Sequence, residues 1–117
     1  MGKMVVATSI SVDGFMGRPD GSLDWLRMNP ESEHARNQLE LLGGTGTIVV
    51  GSRTAADMAA HWSVSDEPLA EPMNTLPKLV FSSRGVTIDW TNVQVTAGGL
   101  RDEIERLKRE DDRDIVA

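Results

Sequence analysis

The chain has 117 residues, 39% of them hydrophobic and 26% charged, with a formal net charge of −6. That length suits one domain with a real core, and the absence of cysteine excludes a disulfide framework and thiol chemistry. The acidic balance argues against nucleic acid or an anionic membrane as partner, and no apolar run approaches the roughly 20 residues of a spanning helix.

In chain order, residues 4–12 (MVVATSISV) read as a first strand, rich in β-branched residues and ended by Asp13-Gly14. Residues 13–25 (DGFMGRPDGSLDW) are rich in glycine and carry a proline, which predicts a long irregular loop of the kind that often serves function. Asn29-Pro30 opens a helix with Glu31 and Glu33 near its positive end. Ala35, Leu39 and Leu42 share one face of it, and Gly43-Gly44 ends it. A strand over 47–50 and a helix over about 54–61 follow.

Residues 63–77 hold three prolines without a clean period and read as a surface excursion. Strands are expected at 78–83, 86–90 and 93–96. Residues 99–111 form the clearest helix, with Leu100, Ile104 and Leu107 as its apolar stripe and Asp102/Arg106 and Glu105/Arg109 as i,i+4 pairs. Residues 114–117 (DIVA) read as a strand just beginning, with an edge open to another chain. The alternation predicts an α/β fold: a mixed, largely parallel sheet flanked by helices on both faces, in one domain over 1–117.

Two strand ends carry chemistry. Gly51-Ser52-Arg53-Thr54 stands where a strand passes into a helix, and a helix N-terminus offers free N–H groups and partial positive charge to an anion. Ser52 or Thr54 could equally be an ordinary N-cap, with Arg53 a solvated charge. The second seam, Ser82-Ser83-Arg84, shifts the balance. If strands 47–50 and 79–82 are parallel neighbours, both seams leave the sheet by the same edge, where open α/β sheets bind ligands. Two Ser-Arg pairs there suit an elongated polyanion, and a 2′-phosphate would explain Arg84. Gly98-Gly99 is read only as slack before the last helix.

The segments SISVDGFMGRPDGSLDW, VVGSRTAADMAAHW, MNTLPKLVFSSRG and NVQVTAGGLRDEIERLK occur in an order that resembles the dihydrofolate reductase-like superfamily. Within it, the chain is similar to the reductase domain of riboflavin biosynthesis, the C-terminal half of the bifunctional deaminase-reductase, and to its small stand-alone relatives. The resemblance implies NADPH as cofactor, with Gly51, Ser52, Arg53 and Thr54 around its phosphates and Ser82, Ser83 and Arg84 on the 2′-phosphate side. It implies that Thr8 and Ser9 line the nicotinamide pocket. It places the loop with Asp13, Gly14, Phe15, Met16 and Gly17 over nicotinamide and substrate, and Trp25 on the substrate side.

Three departures stand out. Ser52 occupies a place where the family often has arginine, and Ser32 falls where folate reductases carry an acid. Family members also continue past the strand begun by 114–117, so the resemblance implies a domain cut after its fifth or sixth strand.

The expected function is NADPH-dependent hydride transfer to a small heterocyclic or carbonyl substrate, in the cytoplasm and as a homo-oligomer. The alternative is a nucleotide-binding or oligomerising module without turnover. Asp13 reads as a turn residue or as a substrate contact, and Asp24-Trp25 as a substrate contact or a packed turn. His34 and His61, the two histidines, are too few to predict a metal site. His34 is expected in solvent and His61 at a helix C-terminus. Met16, Met28, Met58 and Met73 are expected to fill gaps in the core.

Overall fold

The computed structural model describes residues 2–22, 29 and 31–117. Among them the elements run β1 (Met4–Val5), α1 (Glu33–Gly43), β2 (Thr45–Gly51), α2 (Ser52–Trp62), α3 (Ala70–Thr75), β3 (Lys78–Phe81), β4 (Val93–Thr96), α4 (Leu100–Glu110) and β5 (Asp114–Val116). Asp24, Trp25, Met28 and Pro30 lie outside the described residues.

The five strands form one sheet in the order β1-β5-β2-β3-β4, and every neighbouring pair is parallel. The expected α/β architecture, a largely parallel sheet flanked by helices, holds, and among the described residues the sheet is parallel throughout. From β1 to β4 the chain steps in one direction across the sheet, and from β4 to β5 it steps back. Right-handed crossovers then require the connecting helices to lie on opposite faces. They do: Leu42 of α1, Met58 and Trp62 of α2, and Ala70 and Met73 of α3 pack with Ile48. On the other face Ile104 and Leu107 of α4 pack with Val49, Leu79 and Ile115. Ile48 and Val49 are consecutive, so the pleat sends them to opposite layers.

Ser32 begins α1 as its N-cap, with its hydroxyl accepting from the Ala35 N–H at 3.1 Å. The helix therefore starts after Ser32, later than the Asn29-Pro30 opening the sequence suggests. Strand β1 is shorter than expected. Met4 and Val5 pair with Ile115 and Val116, the Ala7 N–H reaches the Ala117 carbonyl, and the 8–12 backbone then leaves the ladder. β-branched composition favours a strand only where a neighbour completes it. Strand β5 lies between β1 and β2, so the expected open edge at 114–117 is wrong; the edges belong to β1 and β4.

Residues 86–90 form no strand, because Trp90 turns back to donate from Nε1 to Asn74 Oδ1 at 2.7 Å. The expected surface excursion at 63–77 contains α3, whose Ala70 and Met73 are buried. In α4, Arg106 pairs with Glu103 and Glu110 and Arg101 with Glu105, in place of the expected Asp102/Arg106 and Glu105/Arg109 pairs. Met58 and Met73 join the core as expected, but Met16 is 59% exposed and Leu100, expected in the α4 stripe, is equally so.

Lys78 is the one charged side chain buried among the described residues. It shares a face with Val80, and its ammonium donates to the Met73 and Asn74 carbonyls at 2.7 and 2.9 Å. These are among the last carbonyls of α3, left free by the helix and favoured partners for a cation. Burial lowers its pKa from 10.5 to about 8.

Candidate functional site

The register of β2 and β3 builds the site. Gly51 stands opposite Phe81, and Phe81 opposite Thr96 of β4, so three strand ends finish in one row. Ser52 and Ser82 follow the first two directly and leave by the same edge. The Ser82 N–H donates to the Thr96 carbonyl at 2.9 Å, which holds the second seam against β4. The parallel pairing assumed from sequence is thus present, and the two seams begin from neighbouring strand ends at one edge of the sheet.

The N-terminus of α2 is open. Its N-cap is Gly51, in extended backbone at φ −77°, without a side-chain cap bond, and its first turn holds no acid. Ser52 and Thr54 lie inside the helix, so the capping role considered for them does not apply. A Cβ on Gly51 would meet nothing within 4 Å, so the N-cap position itself is uncrowded. Arg53 and Arg84 are exposed and neither forms an ion pair with a described residue, although the chain carries 18 acidic side chains. After β3 the chain turns sharply: the Arg84 N–H donates to Ser82 Oγ at 3.3 Å, and Gly85 takes φ +64°.

The N-terminus of α4 differs. Its cap, Gly99, is also a glycine without a cap bond, but Asp102 and Glu103 fill the first turn. Glu103 accepts from the Thr96 hydroxyl at 3.2 Å, and Thr96 Oγ1 accepts from the Gly98 N–H at 3.0 Å. Arg106 holds the Glu103 carboxyl below its usual range through its hydrogen bonds. The positive end of that helix is therefore already met by its own carboxylates, whereas the first turn of α2 holds none.

Thr8 and Ser9 follow Ala7, so they lie beyond the carboxyl end of β1, at the same edge. Strand β5 separates them from β2. Three strand spacings, at roughly 4.8 Å each, put about 14 Å between the ends of β1 and β3, a span suited to an extended ligand. Asp13, Gly14 and Gly17 belong to a separate turn. Ser11 Oγ donates to Asp13 Oδ1 and accepts from the Phe15 N–H at 2.9 Å, and Gly14 sits at φ +92°. This turn lines a cleft of about 230 Å³ with Arg18, and residues 11–17 form no hydrogen bond with residues 51–54 or 82–84. Trp25 is outside the described residues.

A larger groove, about 560 Å³, opens at the opposite edge, between α4 and the starts of β2, β3 and β4. Arg106, Glu110 and Asp111 along it are held in ion pairs, Arg106 with Glu103 and Glu110 and Asp111 with Arg113. It lies a strand's length from the open helix end, and the geometry favours the carboxyl edge as the site.

His34 is exposed on α1. His61 is in the last turn of α2, with Nε2 3.7 Å from Glu67 and its ring edge-on to Trp62. Among the described residues no three His, Asp or Glu side chains gather as metal ligands, and no helix is long and apolar enough to cross a membrane. Sequence reasoning missed the role of Lys78, although its two-residue spacing from Val80 in a buried strand was the available signal. It also missed Thr96 as the third strand end of the row.

No protein-family model matches the sequence, and no curated protein does. Among solved structures the fold matches a candidate riboflavin biosynthesis protein from Shewanella sp. PV-4, with a TM-score of 0.69 and 24% identity. The match covers 99% of this chain and 63% of that one, so the chain spans less than two thirds of that protein's length. The two share an α/β fold.

Proposed function

We propose that the chain carries the cofactor-binding part of an NADPH-dependent reductase of the riboflavin-biosynthesis, dihydrofolate reductase-like kind. One observation supports this most: the Gly51–Phe81 register, which sends both Ser-Arg seams out of one sheet edge. The fold likeness to a candidate riboflavin biosynthesis protein agrees with it.

The residues present fit such a cofactor. The open N-terminus of α2, with Ser52 and Thr54, would receive the pyrophosphate, and Arg53 would neutralise its charge. Arg84 and Ser83, one strand further along, would take the 2′-phosphate, a dianion that a planar guanidinium recognises well. Thr8 and Ser9 would line the nicotinamide end. When bound, NADPH supplies the hydride, so the protein needs no nucleophile of its own and contributes orientation, charge neutralisation and exclusion of water. The acceptor would be a small heterocyclic or carbonyl compound.

Titration of NADPH fluorescence with the purified chain tests the premise. Saturable binding, weakened by added salt, is the expected outcome. No change up to millimolar NADPH would remove the reading.

A further inference from the structure

We propose that residues 83–90 form a strap on the α2–α3 face, latched at Trp90 by Asn74 and Lys78, and that opening the latch frees Arg84. Strands β3 and β4 are parallel neighbours, so the chain between them must return from the carboxyl edge of the sheet to the amino edge. The other connections between the described strands carry a helix, and this one does not. Val86, Ile88 and Trp90 are half-buried while Thr87 and Asp89 are exposed, the alternation of an extended segment lying on a surface.

Hydrogen bonds do not hold the strap along its length. Among the described residues, 83–89 form only two, both local: the Arg84 N–H donates to Ser82 Oγ, and the Ile88 carbonyl accepts from the Trp90 N–H. A segment with so few protected backbone groups opens locally at little cost. Gly85, at φ +64° with nothing within 4 Å of an added Cβ, gives a pivot directly after Arg84.

The far end is fastened. Trp90 packs against the core beneath α2 and α3. Its Nε1 donates to Asn74 Oδ1, and the Lys78 ammonium stands over its ring. Two residues on, Asn92 Nδ2 donates to the Thr75 carbonyl at 2.6 Å, and the Asn92 carbonyl accepts from the Lys78 N–H at 2.8 Å. Asn74 is itself fixed, because its Nδ2 donates to the Trp62 carbonyl. Removing the acceptor from this indole leaves a half-buried donor unmet, and the cation over the ring adds to the hold. The latch therefore decides whether the strap lies flat, and Arg84 moves with the strap. Under the reductase reading Arg84 meets the 2′-phosphate, and that consequence alone rests on that reading.

Limited trypsin digestion of the purified chain reads the latch. A protease must draw an extended stretch of chain into its cleft, so the bond between Arg84 and Gly85 is cut as often as the strap lifts. Cleavage there, followed by mass spectrometry, should run about tenfold faster in Asn74→Ala than in the wild type. Trp90→Phe keeps a ring over the ammonium but loses the indole donor, and its rate should fall between the two. Cleavage after Arg53, inside α2, reports global unfolding and should stay at the wild-type rate. Equal rates at Arg84 in the wild type and Asn74→Ala would overturn the proposal, as would a rise at Arg53 matching that at Arg84 in both variants. No cofactor enters the digestion, so failure of NADPH to bind would remove the reductase reading and leave the latch as measured.

Discussion

Lys78 Nζ lies 4.0 Å from the centre of the Trp90 ring while donating to the carbonyls of Met73 and Asn74. Asn74 in turn accepts from Trp90 Nε1 and donates to the Trp62 carbonyl at 2.9 Å. One ammonium thus ties the end of α3, the start of β3 and the loop before β4. Lys78→Met would fill similar space but leave two carbonyls without their donor. The expected loss is about 1–3 kcal/mol, measured by urea unfolding.

The same lysine sets a pH dependence. Its pKa is about 8 when folded against an ordinary 10.5. Between those values the unfolded chain holds more protons, so stability rises as pH climbs through the window. The chain has no tyrosine or cysteine, so neither a phenol nor a thiol adds to the change. Unfolding series from pH 7 to pH 10 should show the wild type gaining on Lys78→Met. Parallel curves would show that burial does not depress this amine.

Arg84 and Arg53 should separate the two ends of the cofactor. Arg84→Ala is expected to weaken NADPH at least tenfold, about 1.4 kcal/mol, and to leave NADH nearly unchanged, because only NADPH has the 2′-phosphate. Arg53→Ala should weaken both alike. Equal losses for the two cofactors in Arg84→Ala would refute its assignment.

Gly51→Asp divides stability from binding. The backbone at Gly51 is already extended, and the added carbon meets nothing within 4 Å. An aspartate there would cap α2 and face its positive end, raising stability by about 0.5 kcal/mol. The same carboxylate would occupy the place proposed for phosphate. Thermal unfolding should therefore rise slightly while NADPH binding is lost. Retained binding would move the phosphates away from α2.

Gly2 is held by close approach. A Cβ there would lie 2.0 Å from the Arg113 carbonyl oxygen, a backbone atom that cannot swing aside. Gly2→Ala should push β1 from β5 and cost about 1–3 kcal/mol. Gly43→Ala, near the end of α1 with nothing within 4 Å of the new carbon, serves as the control and should be neutral or mildly stabilising.

Much of the fold follows from short-range pattern. The β-branched run of β2, the apolar stripe of α4 and the glycines that stop α1 each act through neighbouring residues, so the sequence alone located them. The same holds for the two Ser-Arg seams, since a strand passing into a turn or helix is a local event. Where elements meet was not legible in the same way. Strand β5 enters the sheet between β1 and β2 because the β4–β5 crossover runs back across the opposite face, and no local pattern encodes that return. Residues 8–12 have strand composition yet no ladder partner, and residues 70–75 hold a proline yet have a core to fill. The sequence by itself located the two Ser-Arg seams at the ends of their strands. Only the tertiary structure decided that Gly51 and Phe81 stand in register, because strand pairing is a contact between segments far apart in the chain.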